Sequence, residues 1–170
     1  MKTKQLVLAA LFIAIGVVLP QAFHTIPNAG SIFLPMHIPV LIAGFALGPV
    51  FGAICGVITP ILSHLIFSMP PAPMLAQMVC ELAVYGFLTG LLSRVFDVGS
   101  NLGKIYVVLI LSMVGGRVIY GLLNYFIFKA GAYSLQMWLS AAFIKALPGI
   151  AIQLVLIPIL VSRLKKANLI

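Results

Sequence analysis

Three charged side chains sit where an apolar chain has little room for charge. Glu81, Arg117 and Lys145 each lie inside a long hydrophobic run. A charge near the middle of a bilayer costs about 2.5 to 3.5 kcal/mol on insertion scales, so such residues need partners or a task. One carboxylate cannot neutralise two cations. The surplus positive charge calls for an anionic group on a ligand, or for water. Other polar side chains share the layer: Gln77, Tyr85, Tyr120, Asn124, His64 and Trp138. Together they offer donors, acceptors and aromatic faces, which is the chemistry of holding a small molecule in a polar chamber. The competing account is a Glu–cation pair that locks helices together. For His64 a hydrogen bond at a helix end is the simpler expectation. His24 and His37, near the outer interface, read as structural.

Bond-breaking chemistry finds no support. Two acidic residues in the whole chain cannot build a carboxylate-rich metal centre. His64, His37 and Glu81 could form a metal site, but their spacing is not specific to one. No Gly-xxxx-Gly-Lys-Ser/Thr loop is present, so the chain hydrolyses no nucleotide itself. No Ser/His or Cys/His pair has a nucleophile context. We expect no enzyme activity, no metal and no cofactor.

The elements that position these residues follow from composition. The chain has 170 residues, 63% of them hydrophobic and 7% charged, with mean hydropathy +1.24. Average chains carry about 25% charged residues because a soluble surface must face water. Most of this surface must therefore face lipid. At roughly 20 apolar residues per spanning helix, the length allows about six spans in one domain over residues 1–170 and leaves no room for a soluble one. The expected fold is an all-α bundle of six transmembrane helices. The spans read as Gln5–Phe23, Met36–Leu47, Val50–Phe67, Met74–Phe96, Lys104–Phe128 and Leu135–Leu164. The second is short and ends at Gly48-Pro49. Pro60, Pro148 and Pro158 fall inside helices. The stretch Lys2–Leu19 resembles a signal peptide, but no cleavage site with a polar mature domain follows, so it reads as a retained first helix. At 1.5 Å per residue, Glu81 lies roughly 10 Å below the outer end of its helix and Lys145 roughly 15 Å below the outer end of its own.

The charge of +8 sits at helix ends, a pattern of membrane topology and not of nucleic-acid binding. Lys2, Lys4, Arg94, Lys104, Arg163, Lys165 and Lys166 fall on one side of the six-span arrangement, and Lys129 alone on the other. The positive-inside rule makes both termini cytoplasmic. Cys55 and Cys80 lie in apolar runs and read as packed thiols. Gly44, Gly48, Gly52 and Gly56 recur every four residues, and Gly86 and Gly90 repeat the spacing. Small residues so spaced let backbones approach in lipid. The first reading is packing within the bundle, and the second a surface that slides on a partner. Ala10 and Ala14 form a further small face on the first helix.

Six short spans, the Ala10-xxx-Ala14 face, and the segments FLPMHIPVLIAGFALGPVFGAICGVITPILSHLI and ELAVYGFLTGLL resemble an S component of an energy-coupling factor (ECF) transporter. The resemblance covers the whole chain. It implies a bacterial plasma-membrane subunit that captures a vitamin from outside. It further implies docking on a transmembrane coupling subunit driven by two cytosolic ATPases, against which the loaded bundle topples. Ala10 and Ala14 match the family's docking motif, and Val18 stands at its third, often aromatic, place. Lys2 follows the initiator Met where cobalt and nickel carriers have His, which speaks against a metal substrate. With Arg117 and Lys145 as cations, the substrate class expected is a small carboxylate-bearing vitamin, pantothenate being one candidate. The alternative is a stand-alone proton-coupled transporter, working as a homo-oligomer through Glu81.

Overall fold

A computed structural model describes residues 2–23, 25, 26, 28–128, 134–167, 169 and 170. Helix α1 covers Lys2–Val18 and runs on as a 3-10 turn, Leu19–Phe23, around Pro20. Helix α2 is Ala29–Phe33, α3 is His37–Leu47 and α4 is Pro49–Phe67. Helix α5 is Ala72–Val95. Helix α6, Leu102–Leu123, continues into a π turn, Asn124–Phe128. Helix α7, Leu135–Leu139, passes into a second π turn, Ser140–Ile144, before α8, Leu147–Lys166. Six segments are long and apolar enough to cross a membrane, and the described residues contain no strand. The all-α, six-span bundle is the architecture expected from composition.

Two details depart from the expected spans. The first loop contains α2, and Ala29–Leu47 together form the second crossing segment. The sixth helix does not run unbroken from Leu135. Pro148 lies in the first turn of α8, where a missing N–H costs nothing. A helix continuing through that point would lose a ladder bond and crowd the carbonyl four residues back. The chain therefore breaks at Lys145–Ala146, while Pro60 and Pro158 remain inside α4 and α8.

Helix α3 is apolar around its whole circumference, and only Ala46 of its residues escapes full burial. A helix with no polar face belongs in the middle of the assembly, and α1, α4, α5 and α8 surround it. The glycine ladder makes this possible. A Cβ on Gly44 would stand 2.7 Å from the Gly86 carbonyl oxygen. Gly52 and Gly86 face each other backbone to backbone, as do Gly56 and Leu82, and Gly90 and Pro49. The repeat is thus spent on packing α3 and α4 against α5, and it offers no free sliding surface. Gly48 joins α3 to α4 at φ 89°, in the left-handed region that favours glycine, with the Arg94 guanidinium packed over it.

Helix α1 has two unlike faces. Ala9, Phe12, Gly16 and Val17 are buried against α3 and α4, while Leu6, Val7, Ala10, Leu11, Ala14 and Val18 are exposed. Arg94, Lys104, Arg163, Lys165 and Lys166 collect at one end of the bundle. There Lys104 Nζ donates to the Asp97 carbonyl at 3.0 Å and Ser162 Oγ to the Ser100 carbonyl at 3.1 Å. Lys129, counted above among the topology charges, and His24, read above as structural, lie outside the described residues.

Candidate functional site

Helix periodicity brings residues four apart onto one face. On α5 that face is polar and buried: Gln77, Glu81, Tyr85, Thr89 and Ser93 follow at this spacing. Thr89 and Ser93 spend their hydroxyls on the carbonyls of Tyr85 and Gly90. Glu81 and Tyr85 face the neighbouring helices. Glu81 Oε1 lies 3.0 Å from Arg117 Nη1 of α6 and 3.7 Å from His37 Nε2 of α3. The Tyr85 ring meets the His37 ring edge to face at 5.3 Å, and its hydroxyl interacts with both Glu81 and Arg117. Gly116 clears the approach, since a Cβ there would stand 2.7 Å from the Tyr85 ring.

These four side chains come from three helices, and none is more than 6% exposed. In such surroundings a charge-assisted pair is strong, and an orphaned partner is costly. The guanidinium fork has five donors. One edge meets Glu81, while Arg117 Nε has no hydrogen-bond partner, and neither has His37 Nδ1. The arrangement holds a cation in fixed orientation and leaves donor capacity for another acceptor.

Sequence reading grouped Glu81, Arg117, Tyr85 and Gln77 in one polar layer, and the structure buries all four; the reading did not assign His37 to that layer. The available signal was the helix itself: HIPVLIAGFAL has no polar side, so its one titratable group had to be buried with it. His64 stands apart, on α4, where its Nδ1 lies 2.7 Å from the Pro70 carbonyl oxygen and ties the following turn to the helix end. Asn124 is fully buried at the start of the first π turn, where its Nδ2 donates to the Tyr120 carbonyl at 2.8 Å. Trp138 Nε1 donates to the Arg117 carbonyl at 2.9 Å, and its ring meets Phe143 at 5.5 Å, edge to face. Lys145 is exposed at the break before α8, and among the described residues no carboxylate pairs with it. The structure does not bring it to Glu81 and Arg117.

Beside the cluster, between α6 and α8, lies a cavity of about 120 Å³ whose wall includes Met113, Arg117, Phe143, Ile150 and Leu154. A family model for the ECF transporter, substrate-specific component, matches residues 4–161. The comparison with curated proteins gives no match, and neither does the comparison with solved structures.

Proposed function

The chain belongs to the substrate-specific components of ECF transporters, and from that premise we propose that it captures a small carboxylate-bearing micronutrient at the outer half of the bundle. It is a multi-pass membrane protein whose task is substrate binding. The observation that carries the finer reading is Arg117. It is buried, paired with Glu81 and unpartnered at Nε, and the carbon stem of its side chain borders a cavity. A charge-assisted hydrogen bond in such a place contributes roughly 1.5 to 3 kcal/mol, or about 10- to 150-fold in affinity. Glu81, His37 and Tyr85 position the guanidinium. In this reading Gln77, Tyr120, Asn124 and Trp138 complete the substrate site.

Delivery follows from the two faces of α1. Ala10 and Ala14 stand on an exposed helix face, where small side chains admit a second helix closely. In this reading that face meets the transmembrane coupling subunit of a module powered by two cytosolic ATPases. The basic end of the bundle, with Arg94, Lys104 and the α8 terminus, faces the cytoplasm of a bacterial cell.

Purified protein with a panel of labelled vitamins tests capture, and proteoliposomes with and without an ATPase-bearing coupling module test delivery. The expected result is tight binding of one carboxylate vitamin, pantothenate among those tried, and uptake only with module and ATP. Uptake by the chain alone, driven by a proton gradient, would replace this reading with that of a stand-alone transporter. Tight binding of a neutral vitamin would remove the carboxylate.

A further inference from the structure

Helices α6 and α7 lie side by side without closing on each other. A groove of about 300 Å³ runs between them, walled by Val118, Gly121, Leu122 and Tyr125 on one side and by Leu135 and Trp138 on the other. It occupies the end of α6 away from Lys104, and Val118 to Tyr125 is roughly 10 Å along the helix axis. The Trp138 indole bridges the two walls, lying so close to α6 that a Cβ on Gly121 would stand 2.7 Å from its Cδ1. Among the described residues no charged side chain lines the groove. Two polar groups of the wall are already engaged. Trp138 Nε1 donates to the Arg117 carbonyl, and Ser134 Oγ, at the groove's edge, accepts the Met137 N–H at 3.2 Å.

Water is a poor occupant for such a groove, because a held water needs two to four polar partners. Empty space is no better, since the walls forfeit their dispersion contacts. The groove is open at its side, where Val118, Leu122, Tyr125 and Leu135 are exposed. The α6 wall belongs to the spanning segment Leu102–Ile127, so the opening is continuous with the lipid-facing surface of the bundle. We propose that the groove is a binding site for one acyl chain of a membrane phospholipid, independent of the capture reading above. A dry cavity of about 150 Å³ holds a benzene-sized molecule, so this one takes on the order of ten chain carbons. Its length fits within one leaflet, about half of a hydrocarbon core roughly 30 Å thick. Tyr125 and Trp138 stand near the end of the span, where amphipathic rings meet the headgroup region. Lipid hydrocarbon is as apolar as these walls, so transfer out of the bilayer contributes little and close packing decides the site. A chain in the groove touches two helices, whereas a chain on the outer surface touches one. The tail also supplies what α7 lacks. None of that helix's residues is buried, and Leu135, Met137 and Leu139 are exposed. A tail wedged beside Trp138 fastens the α7 arm to α6.

Trp138 is the chain's only tryptophan and lines the groove, so a quencher on the bound tail is read directly in its emission. Purified protein in maltoside micelles is titrated with a phosphatidylcholine brominated along its acyl chains. The expected result is quenching that saturates near a single lipid per bundle. Unbrominated dioleoylphosphatidylcholine should reverse it, and glycerophosphocholine, which has the headgroup and no tails, should not. Val118→Phe fills the groove from an exposed position and should remove the saturable quenching, while helical circular dichroism and elution volume stay those of the parent. Leu135→Phe makes the same test from the opposite wall should Val118→Phe fail to fold. Val107→Phe, at an exposed position of α6 outside the groove, should leave the quenching intact. Quenching that only follows the mole fraction of brominated lipid, or that persists in a folded groove-filling variant, overturns the inference. Reversal by glycerophosphocholine overturns it too, by assigning recognition to the headgroup. So does a cross-linked homodimer in which a second copy covers Trp138 and keeps the brominated chain away.

Discussion

The buried pair makes an asymmetric prediction about stability. Glu81 and Arg117 are 5% and 6% exposed and 3.0 Å apart. Removing one partner of such a pair leaves an uncompensated charge in a low-dielectric interior, at about 3 to 5 kcal/mol. At 1.36 kcal/mol per decade this is a shift of roughly 150- to 5,000-fold in the folding equilibrium. The two single variants are not equivalent. Arg117→Gln leaves Glu81 with the His37 ring 3.7 Å away as a remaining polar neighbour. Glu81→Gln leaves Arg117, which cannot shed its proton in a protein, with no carboxylate. Glu81→Gln should therefore be the more damaging single change. The double variant, with two neutral amides, should recover most of the loss. The assay is the midpoint of unfolding in mixed micelles, followed by circular dichroism and by the monodisperse fraction in size-exclusion chromatography. The reasoning fails if Arg117→Gln is as stable as the parent, or if the double variant loses the sum of the two singles.

Other consequences are independent of that pair. Gly86→Leu should prevent assembly of the bundle, because Gly86 faces the Gly52 backbone directly; a folded, monodisperse variant at normal yield would contradict the packing described. Ala14→Trp, on the exposed face of α1, should leave substrate binding unchanged and abolish co-purification with the coupling subunit, which pull-down and a binding isotherm measure separately. Lys145→Gln should change affinity less than twofold, since Lys145 is exposed at the helix break; a tenfold loss would bring that residue back into the site.

The bulk architecture was legible because the bilayer leaves so few alternatives. In lipid every backbone polar group must be satisfied within the structure, so runs of apolar residues become spanning helices. Their number follows from length, and the bundle's polar ends follow from Lys and Arg. Gly at four-residue spacing foretold close backbone contact, and Pro148 carried the signal for the break before α8, although the reading ran the helix through it. The glycine spacing could not say which helix each ladder meets, since the same pattern serves an internal seam or an external partner. Only the packing of α3 and α4 on α5 separates the two.

For the site, the sequence by itself determined that charges stood inside the membrane layer and that Glu81 needed a cation. Depth along a helix follows from a residue count, and on that basis Arg117 and Lys145 were equal candidates. Which one meets Glu81 depends on the rotation of each helix about its axis and on where the sixth helix breaks. Those are properties of side-chain packing among several helices, not of any single segment. The tertiary structure alone decided that Arg117 faces inward beside His37 and Tyr85. It also turned Lys145 outward, because a proline three residues on ends one helix and starts the next in a new direction.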